Sequence, residues 1–277
     1  MIYCHLAGGL GNQLFQIFAT IAHALKEGQT FDFTPNEKLG DRNTYWTTFL
    51  SSLQKYTGQC KEVNRRINEI GFHYNALPSI SKTENILLTG YFQSPKYFKE
   101  RKAEIYKIIG LSKKKKAIKN IYRELIMDDT VVISLHFRIG DYIKLQSHHP
   151  IMPIKYYASA LNHIKNNLKP LTRGTILYFC EDVDLFYVES AIITLKQMSP
   201  EWTFKRCPGE ITDWQQMLLM SLCDHHIIAN STFSWWAAFL GTGKVYMPCV
   251  KFPWIPNPGL DDVDLRVYDE DRYKFIY

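Results

Sequence analysis

The segment VVISLHFRIGDY, residues 131–142, combines an apolar run with polar and charged residues that follow it directly. Its first five residues predict a buried strand, and His136, Arg138 and Asp141 place an imidazole, a guanidinium and a carboxylate at its carboxyl end. Open α/β sheets bind their ligands at this end of their strands. Charged groups on buried elements are costly unless something pairs with them. The cluster therefore indicates either a ligand or a pairing of Arg138 with Asp141 or a helix end.

The sequence around this segment alternates between strands and helices. Downstream strands are predicted at residues 175–180, 202–207, 226–229 and 244–247, and the helices between them at 154–168, 185–198 and 213–222. Such alternation is typical of a parallel, doubly wound sheet. Upstream, a strand, a glycine loop and a helix occupy residues 2–27, and a further strand is predicted at 86–89, whereas residues 34–85 show no clear pattern. We predict two α/β domains, at 1–127 and 128–277, with a ligand in the cleft between them.

Composition and charge limit the classes of partner. Of the 277 residues, 46% are hydrophobic and 22% are charged, as in ordinary globular proteins. The net charge of +6 suits an anionic small ligand and falls short of the basic stripe of a nucleic-acid binder. We interpret the densest basic run, residues 113–116, as a solvated helix face. Peripheral membrane contact is the less favoured alternative, and no nucleic-acid partner is expected.

The N-terminus and the cysteines both favour a reduced compartment. The first strand is not preceded by the basic region and apolar core of a signal peptide. No stretch reaches the roughly 18 uninterrupted apolar residues of a membrane span. The six cysteines are widely spaced without a CxxC pair, which favours buried thiols over zinc ligands or disulfides. We expect a soluble, cytoplasmic protein.

A glycine-rich turn, GGLGNQ at residues 8–13, joins the first strand to the first helix. Glycines such as Gly9 and Gly11 let a ligand approach the backbone, and the helix start offers unpaired N–H groups to an anion. The turn matches neither the GxGxxG fingerprint nor the P-loop. A plain tight turn would explain the glycines but not the polar pair Asn12 and Gln13, so the turn is a candidate part of a ligand site.

A second strand-to-helix turn, NSTFSWW at residues 230–236, follows an apolar run. Ser231 or Thr232 can cap the helix, with hydroxyl and N–H groups available to a ligand. A capped helix with a packed tryptophan pair would not need three consecutive polar residues before Phe233. Asn230, Ser231, Thr232 and Phe233 are therefore candidate ligand contacts.

Three carboxylates follow the strand at 175–180, in the sequence EDVD at residues 181–184. We expect one of them to be the N-cap of the next helix and favour Asp184. Glu181 or Asp182 then remains at the strand end, where a carboxylate can accept from the amide N–H and the exocyclic amine of guanine. Adenine lacks that pair of donors. Together with Arg138 and two helix N-termini, the pattern predicts a site for a nucleoside diphosphate, with GDP favoured.

Several of these segments resemble the α-1,2-fucosyltransferase family, glycosyltransferase family 11, whose members are inverting and use GDP-fucose. The resemblance rests on GGLGNQLFQ at 8–16, GYFQSPKYF at 90–98, HFRIGDY at 136–142 with HP at 149–150, and NSTFSWW at 230–236. It implies a GT-B fold of two Rossmann-like domains, with the acceptor on the N-terminal domain and the GDP-sugar on the C-terminal one. It also implies that no metal is bound.

The chain departs from the family pattern at one position. That pattern, H-x-R-R-x-D, has two adjacent arginines, whereas here Arg138 matches the first and Ile139 replaces the second. The resemblance assigns phosphate binding to the first arginine. Because side chains alternate along a strand, we expect Ile139 to face away from Arg138 and donor binding to persist.

The resulting hypothesis is transfer of L-fucose from GDP-fucose to a terminal β-galactose hydroxyl of a glycan, with inversion and without a metal or other cofactor. Arg138 would stabilise the charge that develops on the leaving diphosphate. His136 and Asp141 are candidate bases, with Asn12 as an orienting amide, and the sequence does not choose among them. For His136, a hydrogen bond that holds the strand end is the favoured alternative.

Two other functions stay open at this point. One is transfer of another GDP-linked sugar, because the same phosphate and guanine contacts would serve it. The other is a catalytically silent protein that binds sugar nucleotides or glycans. The presence of Arg138, Asn12 and Asn230 weighs against the silent protein, and Ile139 keeps it open.

Overall fold

A computed structural model describes residues 1–59, 62–71, 74–126, 130–147, 149–169, 172–248 and 271–276 of the chain. The chain divides into two units, Met1–Lys114 and Lys115–Tyr277. Each unit is built around a parallel sheet, as the strand and helix alternation predicts.

The sheet of the first unit carries the glycine-rich turn at the carboxyl end of its first strand. The described strands are β1 (Ile2–Cys4), β2 (Phe31–Phe33), β3 (Lys38–Leu39), β4 (Arg42–Asn43), β5 (Arg65–Asn68) and β6 (Ile86–Thr89). A parallel sheet has the order β2-β1-β6-β5, and β3 pairs with β4 in an antiparallel hairpin. The strand β6 has the bounds that the sequence predicts, whereas β5 lies in the region without a pattern.

Helix α1 (Leu10–Glu27) follows the glycine-rich turn, and α2 (Lys102–Ile108) and α3 (Leu111–Ile121) come later in the chain. Apolar side chains such as Leu14, Phe18 and Ile21 are fully buried along α1, which gives the first unit its core. The helix ends at Gly28, whose φ of +62° lies in the left-handed region that favours glycine. Its N–H bonds to the carbonyl of Ala24 and so closes the last turn.

The sheet of the second unit has β7 (Val131–His136) in its interior. The strands β8 (Gly174–Phe179), β9 (Trp202–Arg206), β10 (His225–Ile227), β11 (Lys244–Pro248) and β12 (Tyr273–Ile276) complete it. All described pairs are parallel, in the order β12-β11-β10-β7-β8-β9. The carboxyl ends of β10, β7 and β8 therefore lie side by side at one edge of the sheet.

The helices of the second unit are α4 (Arg123–Ile126), α5 (Ile154–Asn167), α6 (Leu185–Met198), α7 (Asp213–Met220) and α8 (Thr232–Leu240). Buried residues of β7, such as Ile133 and Leu135, pack with Leu161 of α5 and Val188 of α6 in one core. None of the helices formed by the described residues combines the length and apolar character that a membrane crossing requires.

The division between the units falls within α3, earlier than the boundary after residue 127 that the sequence suggests. Lys115 accounts for this difference. Its ammonium donates to the carbonyls of Ser221, at 3.1 Å, and Leu240, at 3.0 Å, which ties this part of α3 to the second unit. Residues 127 and 128 themselves lie outside the described residues, and the assignment of acceptor and donor to the two domains stays a prediction.

The four cysteines within the described residues are free thiols. Cys4, Cys207 and Cys223 are buried, and Cys180 is partly exposed. Burial raises the pKa of Cys180 to about 11 and that of Cys4 to about 12, so both stay protonated near neutral pH. The remaining two, at positions 60 and 249, lie outside the described residues.

Arg272 connects the start of β12 to the end of α8. Its guanidinium donates to the carbonyls of Ala238, of Gly241 at 3.0 Å and of Gly243 at 3.0 Å. The last carbonyls of a helix have no partner within the helix, and a cation is favoured there. Because the opposite end of α8 carries Ser231 and Thr232, this contact helps to fix the turn that contains both residues.

We expect Arg272→Ala to lower the free energy of unfolding by about 1.5–3 kcal/mol, because it removes charge-assisted hydrogen bonds at the end of α8. Urea denaturation of the parent and the variant measures the change. Lys274→Ala is the matched control, since Lys274 is exposed and lies two residues away, in β12. Equal losses in the two variants would show that the guanidinium contacts do not stabilise the fold.

Candidate functional site

Arg138 lies two residues beyond the end of β7, and its side chain turns away from the core. Its neighbours Phe137 and Ile139 are buried, at 4% and 6% exposure, and belong to the core of the second unit. Alternation along the chain directs Arg138 to the other side, and its side chain is 21% exposed. The position where the family pattern has its second arginine is therefore filled here by a core residue.

Two exposed carboxylates hold the guanidinium of Arg138. Oδ1 of Asp141 lies 2.6 Å from Nη2, and Oε1 of Glu181 accepts from Nη1. Burial alone would lower the pKa of Arg138, but Glu181 and then Asp141 raise that pKa above its ordinary value, so the group stays a cation. The pairing of Arg138 with Asp141 that the sequence left as an alternative to a ligand is thus present. Ion pairs to exposed carboxylates contribute little stability, so an anionic ligand can replace them.

Tyr142 and Asn230 join three of the segments that carry the family resemblance. The guanidinium carbon of Arg138 lies 5.1 Å from the centre of the Tyr142 ring. The Tyr142 hydroxyl donates to the carbonyl of Asn230 at 3.2 Å. The fully buried Asn230 donates in turn from Nδ2 to the carbonyl of Pro150 at 2.8 Å. Residues 136–142, 149–150 and 230–236 therefore meet at the carboxyl end of β7.

Helix α8 begins beside the end of β7. Ser231 is its N-cap, with Oγ accepting from the N–H of Phe233 at 3.3 Å, so one of the two predicted caps is confirmed. Thr232 is the first helical residue. The Phe233 ring lies 5.5 Å from the imidazole of His136, measured between centroids. This contact brings the first turn of the helix next to the strand end that carries Arg138.

His136 is buried in a neutral form. Its side chain is 7% exposed, and burial, followed by the charge of Arg138, lowers the pKa of the imidazole to about 3. Nδ1 has no hydrogen-bond partner among the described residues. So weak a base is poorly matched to proton abstraction near neutral pH, which disfavours His136 as the catalytic base. At the strand end, the hydroxyl of Tyr157 donates to the backbone carbonyl of His136 at 3.2 Å.

The three carboxylates after β8 have different partners. Glu181 binds Arg138, whereas Oδ1 of Asp182 pairs with Nη2 of Arg206. Asp184 occupies the N-cap position of α6, as predicted. Its carboxylate, however, accepts from the backbone N–H of Gly140, with Oδ1 at 2.9 Å and Oδ2 at 3.0 Å. The sequence places this residue correctly but does not reveal its partner.

The glycine-rich turn of the first unit is held by its own glutamines. Oε1 of Gln16 accepts from the N–H of Ala7 at 2.8 Å, and Nε2 of Gln13 donates to the carbonyl of Gly8 at 2.9 Å. Helix α1 begins at Leu10, so Gly11 and Asn12 belong to its first turn and not to the preceding loop. A Cβ atom built on Gly9 would meet nothing within 4 Å, which leaves open space at the helix start.

Asn12 is fixed by a residue to which the sequence assigns no role. Its Oδ1 accepts from Nε2 of Gln93 at 3.0 Å, and Gln93 belongs to the segment GYFQSPKYF. The side-chain oxygen of Gln93 is buried without a hydrogen-bond partner among the described residues. Asn12 and Gln93 lie in two segments that both carry the family resemblance, and this is the sequence signal that could have linked the two residues.

The predicted site residues fall into two groups. In the second unit, one network of contacts joins the residues His136, Arg138, Asp141, Glu181, Asn230, Ser231 and Phe233, and Thr232 and Asp182 are next to members of this network in the chain. In the first unit, Gly9, Gly11 and Asn12 share the turn at the start of α1. Within the ranges that the structure describes, no three His, Cys, Asp or Glu side chains are arranged to hold a metal ion.

The fold, with a parallel sheet in each unit, is that of the GT-B class. The model of the family described as "Glycosyl transferase family 11" matches residues 65–254, which is more than half of the chain. The chain belongs to this family. The resemblance that the motifs indicate is thereby confirmed, and the protein is a glycosyltransferase.

Individual relatives agree with this classification. An alpha-1,2-colitosyltransferase of Escherichia coli is 24% identical, over 95% of this chain and 96% of the relative. The O-antigen biosynthesis glycosyltransferase WbnK of Escherichia coli is 33% identical, over 44% of this chain and 39% of the relative.

Solved structures confirm the predicted GT-B fold class. A mutant of Arabidopsis thaliana FUT1 in complex with GDP matches with a TM-score of 0.53 and 13% identity, over 89% of this chain and 69% of that one. The ADP-heptose LPS heptosyltransferase II of Escherichia coli matches with a TM-score of 0.51 and 10% identity, over 100% and 90%. At these identities the likeness concerns the fold alone.

The buried imidazole of His136 predicts a free energy of unfolding that falls in acid. Its pKa is about 3 in the folded chain and roughly 6.5 in the unfolded one, so between these values the unfolded chain binds the extra proton. Stability is therefore complete above about pH 6.5 and is lost as the pH falls towards 3, by up to about 1.4 kcal/mol per pH unit. Urea titrations of His136→Gln between pH 7 and pH 4.5 should show a shallower slope than those of the parent.

The control for this measurement is His163→Gln, at an exposed position on α5. It should keep the parent's slope. Part of the slope should also persist in His136→Gln, because burial lowers the pKa of His226 to about 3 as well. An unchanged slope in His136→Gln would contradict a neutral, buried imidazole at this position.

Proposed function

We propose that the protein transfers L-fucose from GDP-fucose to the 2-hydroxyl of a terminal β-galactose on a glycan, with inversion and without a metal or other cofactor. The observation that carries the proposal is the cationic guanidinium of Arg138 at the carboxyl end of β7, held by two exchangeable carboxylates beside the start of α8. Family membership supplies the reaction class. The acceptor linkage is supported by the alpha-1,2 relative.

Arg138 is proposed to bind the diphosphate that leaves during the reaction. In an inverting transfer, the bond from the anomeric carbon to the β-phosphate oxygen breaks while the acceptor oxygen attacks the opposite face of the sugar. Negative charge develops on the departing GDP, and a preorganised forked cation stabilises it. Phosphate oxygens would take the places of the carboxylate oxygens of Asp141 and Glu181. N–H groups at the start of α8, with the hydroxyls of Ser231 and Thr232, would add donors.

Asp141 is the favoured base for the acceptor hydroxyl. The low pKa of His136 makes its imidazole a weak proton acceptor near neutral pH. Asp141 is 52% exposed, and a diphosphate that displaces it from Arg138 would free its carboxylate to take the proton. In the first unit, we propose that Gly9, Gly11 and Asn12 contact a substrate through the open start of α1.

Asp182 is proposed to recognise guanine. Asp182 is 66% exposed and is held in one orientation by Arg206, whereas a diphosphate on Arg138 would release Glu181 from the ion pair that orients it. A Cβ atom on Gly209 would overlap the Asp182 carboxylate, so the glycine leaves room for this orientation. A fixed, accessible carboxylate suits the two N–H donors of guanine.

A second candidate donor is supported by the colitosyltransferase relative, which aligns with 95% of the chain. Colitose is L-fucose without the 3-hydroxyl, so the same phosphate and guanine contacts would serve GDP-colitose. A catalytically silent sugar-nucleotide or glycan-binding protein remains the alternative outside catalysis.

A comparison of donors and acceptors tests the proposal. The protein is incubated with GDP-fucose, GDP-colitose or GDP-mannose, each with a β-galactoside or its 2-deoxy analogue, and products are identified by mass and by NMR of the new linkage. With GDP-fucose, we expect α-1,2-fucosylated product from the β-galactoside and none from its 2-deoxy analogue. The same result is expected in excess EDTA. Faster transfer of colitose would support the second donor, and GDP binding without transfer would support the silent protein. Loss in EDTA that manganese or magnesium restores would overturn the metal-free proposal.

Arg138→Ala should lower kcat by at least about a hundredfold, because removing a preorganised partner of developing charge costs about 3–4 kcal/mol in the transition state. Arg138→Lys should recover only part of the rate, since an ammonium cannot make the forked contact. Steady-state kinetics with saturating donor measure both. Arg173→Ala, an exposed arginine of the same unit, is the control. Near-parent rates in Arg138→Ala would mean that the diphosphate binds elsewhere.

Asp182→Asn should weaken GDP binding about ten- to a hundredfold, because a mismatched donor replaces a charged acceptor, at roughly 1–3 kcal/mol. Calorimetric titration with GDP and with inosine diphosphate, which lacks the exocyclic amine, measures the preference for guanine, and that preference should fall. Glu181→Gln should bind GDP more nearly like the parent, and Arg206→Gln separates loss of the ion pair from loss of recognition. If Asp182→Asn and Glu181→Gln both bind GDP as the parent does, guanine is recognised by other residues.

A further inference from the structure

Asp184 is a buried carboxylate that binds a segment remote from it in the chain. Its side chain is 2% exposed, and both carboxylate oxygens lie within 3.0 Å of the backbone nitrogen of Gly140. A buried carboxylate is costly unless it is hydrogen-bonded. Here its hydrogen bond goes to the backbone two residues beyond Arg138.

Gly140 lies among the charged groups at the end of β7. Its φ of +34° is in the region that side chains rarely adopt. A Cβ atom built on it would lie 3.9 Å from Nη1 of Arg138, 3.9 Å from Oδ2 of Asp184 and 3.5 Å from Oε2 of Glu181. Any shift of this peptide therefore moves the turn that carries Arg138 on one side and Asp141 on the other.

The contacts of this turn differ in whether a ligand can replace them. Asp141 and Glu181 are 52% and 55% exposed and bind the guanidinium itself, where a phosphate would bind. Asp184 is buried and binds the backbone, so a ligand on the guanidinium leaves that contact in place. After the exposed carboxylates have been exchanged, the hydrogen bond from Gly140 to Asp184 still holds the turn.

We propose that Asp184 is a positioning residue for Arg138. By holding the N–H of Gly140, it fixes the turn so that the guanidinium is already placed for the leaving diphosphate. Asp184 does not itself touch the substrate. This inference rests on the proposed role of Arg138, and it adds a residue that acts on catalysis by positioning that arginine.

Kinetics of Asp184 variants give the first test. Asp184→Ala should lower kcat about ten- to a hundredfold, since small misplacement of a reacting or stabilising group has effects of this size, while the KM for the acceptor changes little. Asp184→Asn should recover much of the rate, because the amide oxygen can still accept from Gly140. Glu189→Gln, an exposed carboxylate on α6, is the matched control and should behave like the parent. A kcat of Asp184→Ala within threefold of the parent would overturn the inference.

A double-mutant cycle separates positioning from a merely structural role. If Asp184 acts through Arg138, then Asp184→Ala should have little further effect on kcat in the Arg138→Ala background. The same factor in both backgrounds would show that Asp184 acts independently and would refute the inference. Should Asp184→Ala fail to fold, Gly140→Ala replaces it in the cycle, because it disturbs the other partner of the same hydrogen bond and keeps the carboxylate.

The failure of this inference and that of the proposed function give different results. A parent that binds GDP but transfers no sugar refutes the proposed function, and the cycle then runs with GDP affinity from calorimetry as its readout. A loss of affinity in Asp184→Ala that disappears in the Arg138→Ala background supports positioning of Arg138. Additive losses, or an affinity that does not depend on Arg138, refute it.

Discussion

Burial of Phe137 and Ile139 in the core of the second unit turns Arg138, which lies between them, towards the edge of the sheet. The strand β7 has β10 and β8 as its neighbours, and all three are parallel. Its carboxyl end is therefore flanked by the segments that follow those two strands, residues 181–184 and 230–233. The sheet thus gathers charged and helix-capping residues around the guanidinium although they are far from it in the sequence.

The same burial gives a physical reason for the departure from the family's pair of arginines. Ile139 is 6% exposed, and full burial of such a side chain stabilises a fold by about 1.5–3 kcal/mol. A guanidinium that kept this direction would lose its hydration in an apolar core, which is costly without a partner. Position 139 therefore anchors the turn in this chain, and Arg138 remains as the cation at the strand end.

The sequence predicts those elements whose apolar pattern lies within the element itself. It misses elements and contacts that depend on residues far away in the chain. Helix α6 has the predicted bounds because its buried residues follow the helical period, and strand β6 because it begins with a short run of buried apolar residues. Strand β5 reads RRIN and lies at a sheet edge, where exposure removes the apolar pattern, so it could not be recognised. At the site, local rules place Ser231 and Asp184 at helix starts. The bond from Gly140 to Asp184 spans 44 residues and has no local signature.

Two kinds of carboxylate around one arginine have different consequences for the proposed reaction. Exposed carboxylates keep the guanidinium paired and oriented while no ligand is bound, and a diphosphate exchanges one set of anionic oxygens for another. Under the proposed function, the free energy of that exchange would be smaller than the free energy of pairing a bare cation, so GDP would leave after transfer instead of remaining bound. The buried carboxylate of Asp184 binds the backbone and not the guanidinium, so it would not take part in this exchange. Preorganisation of Arg138 and release of the product are thus compatible, because different carboxylates serve them.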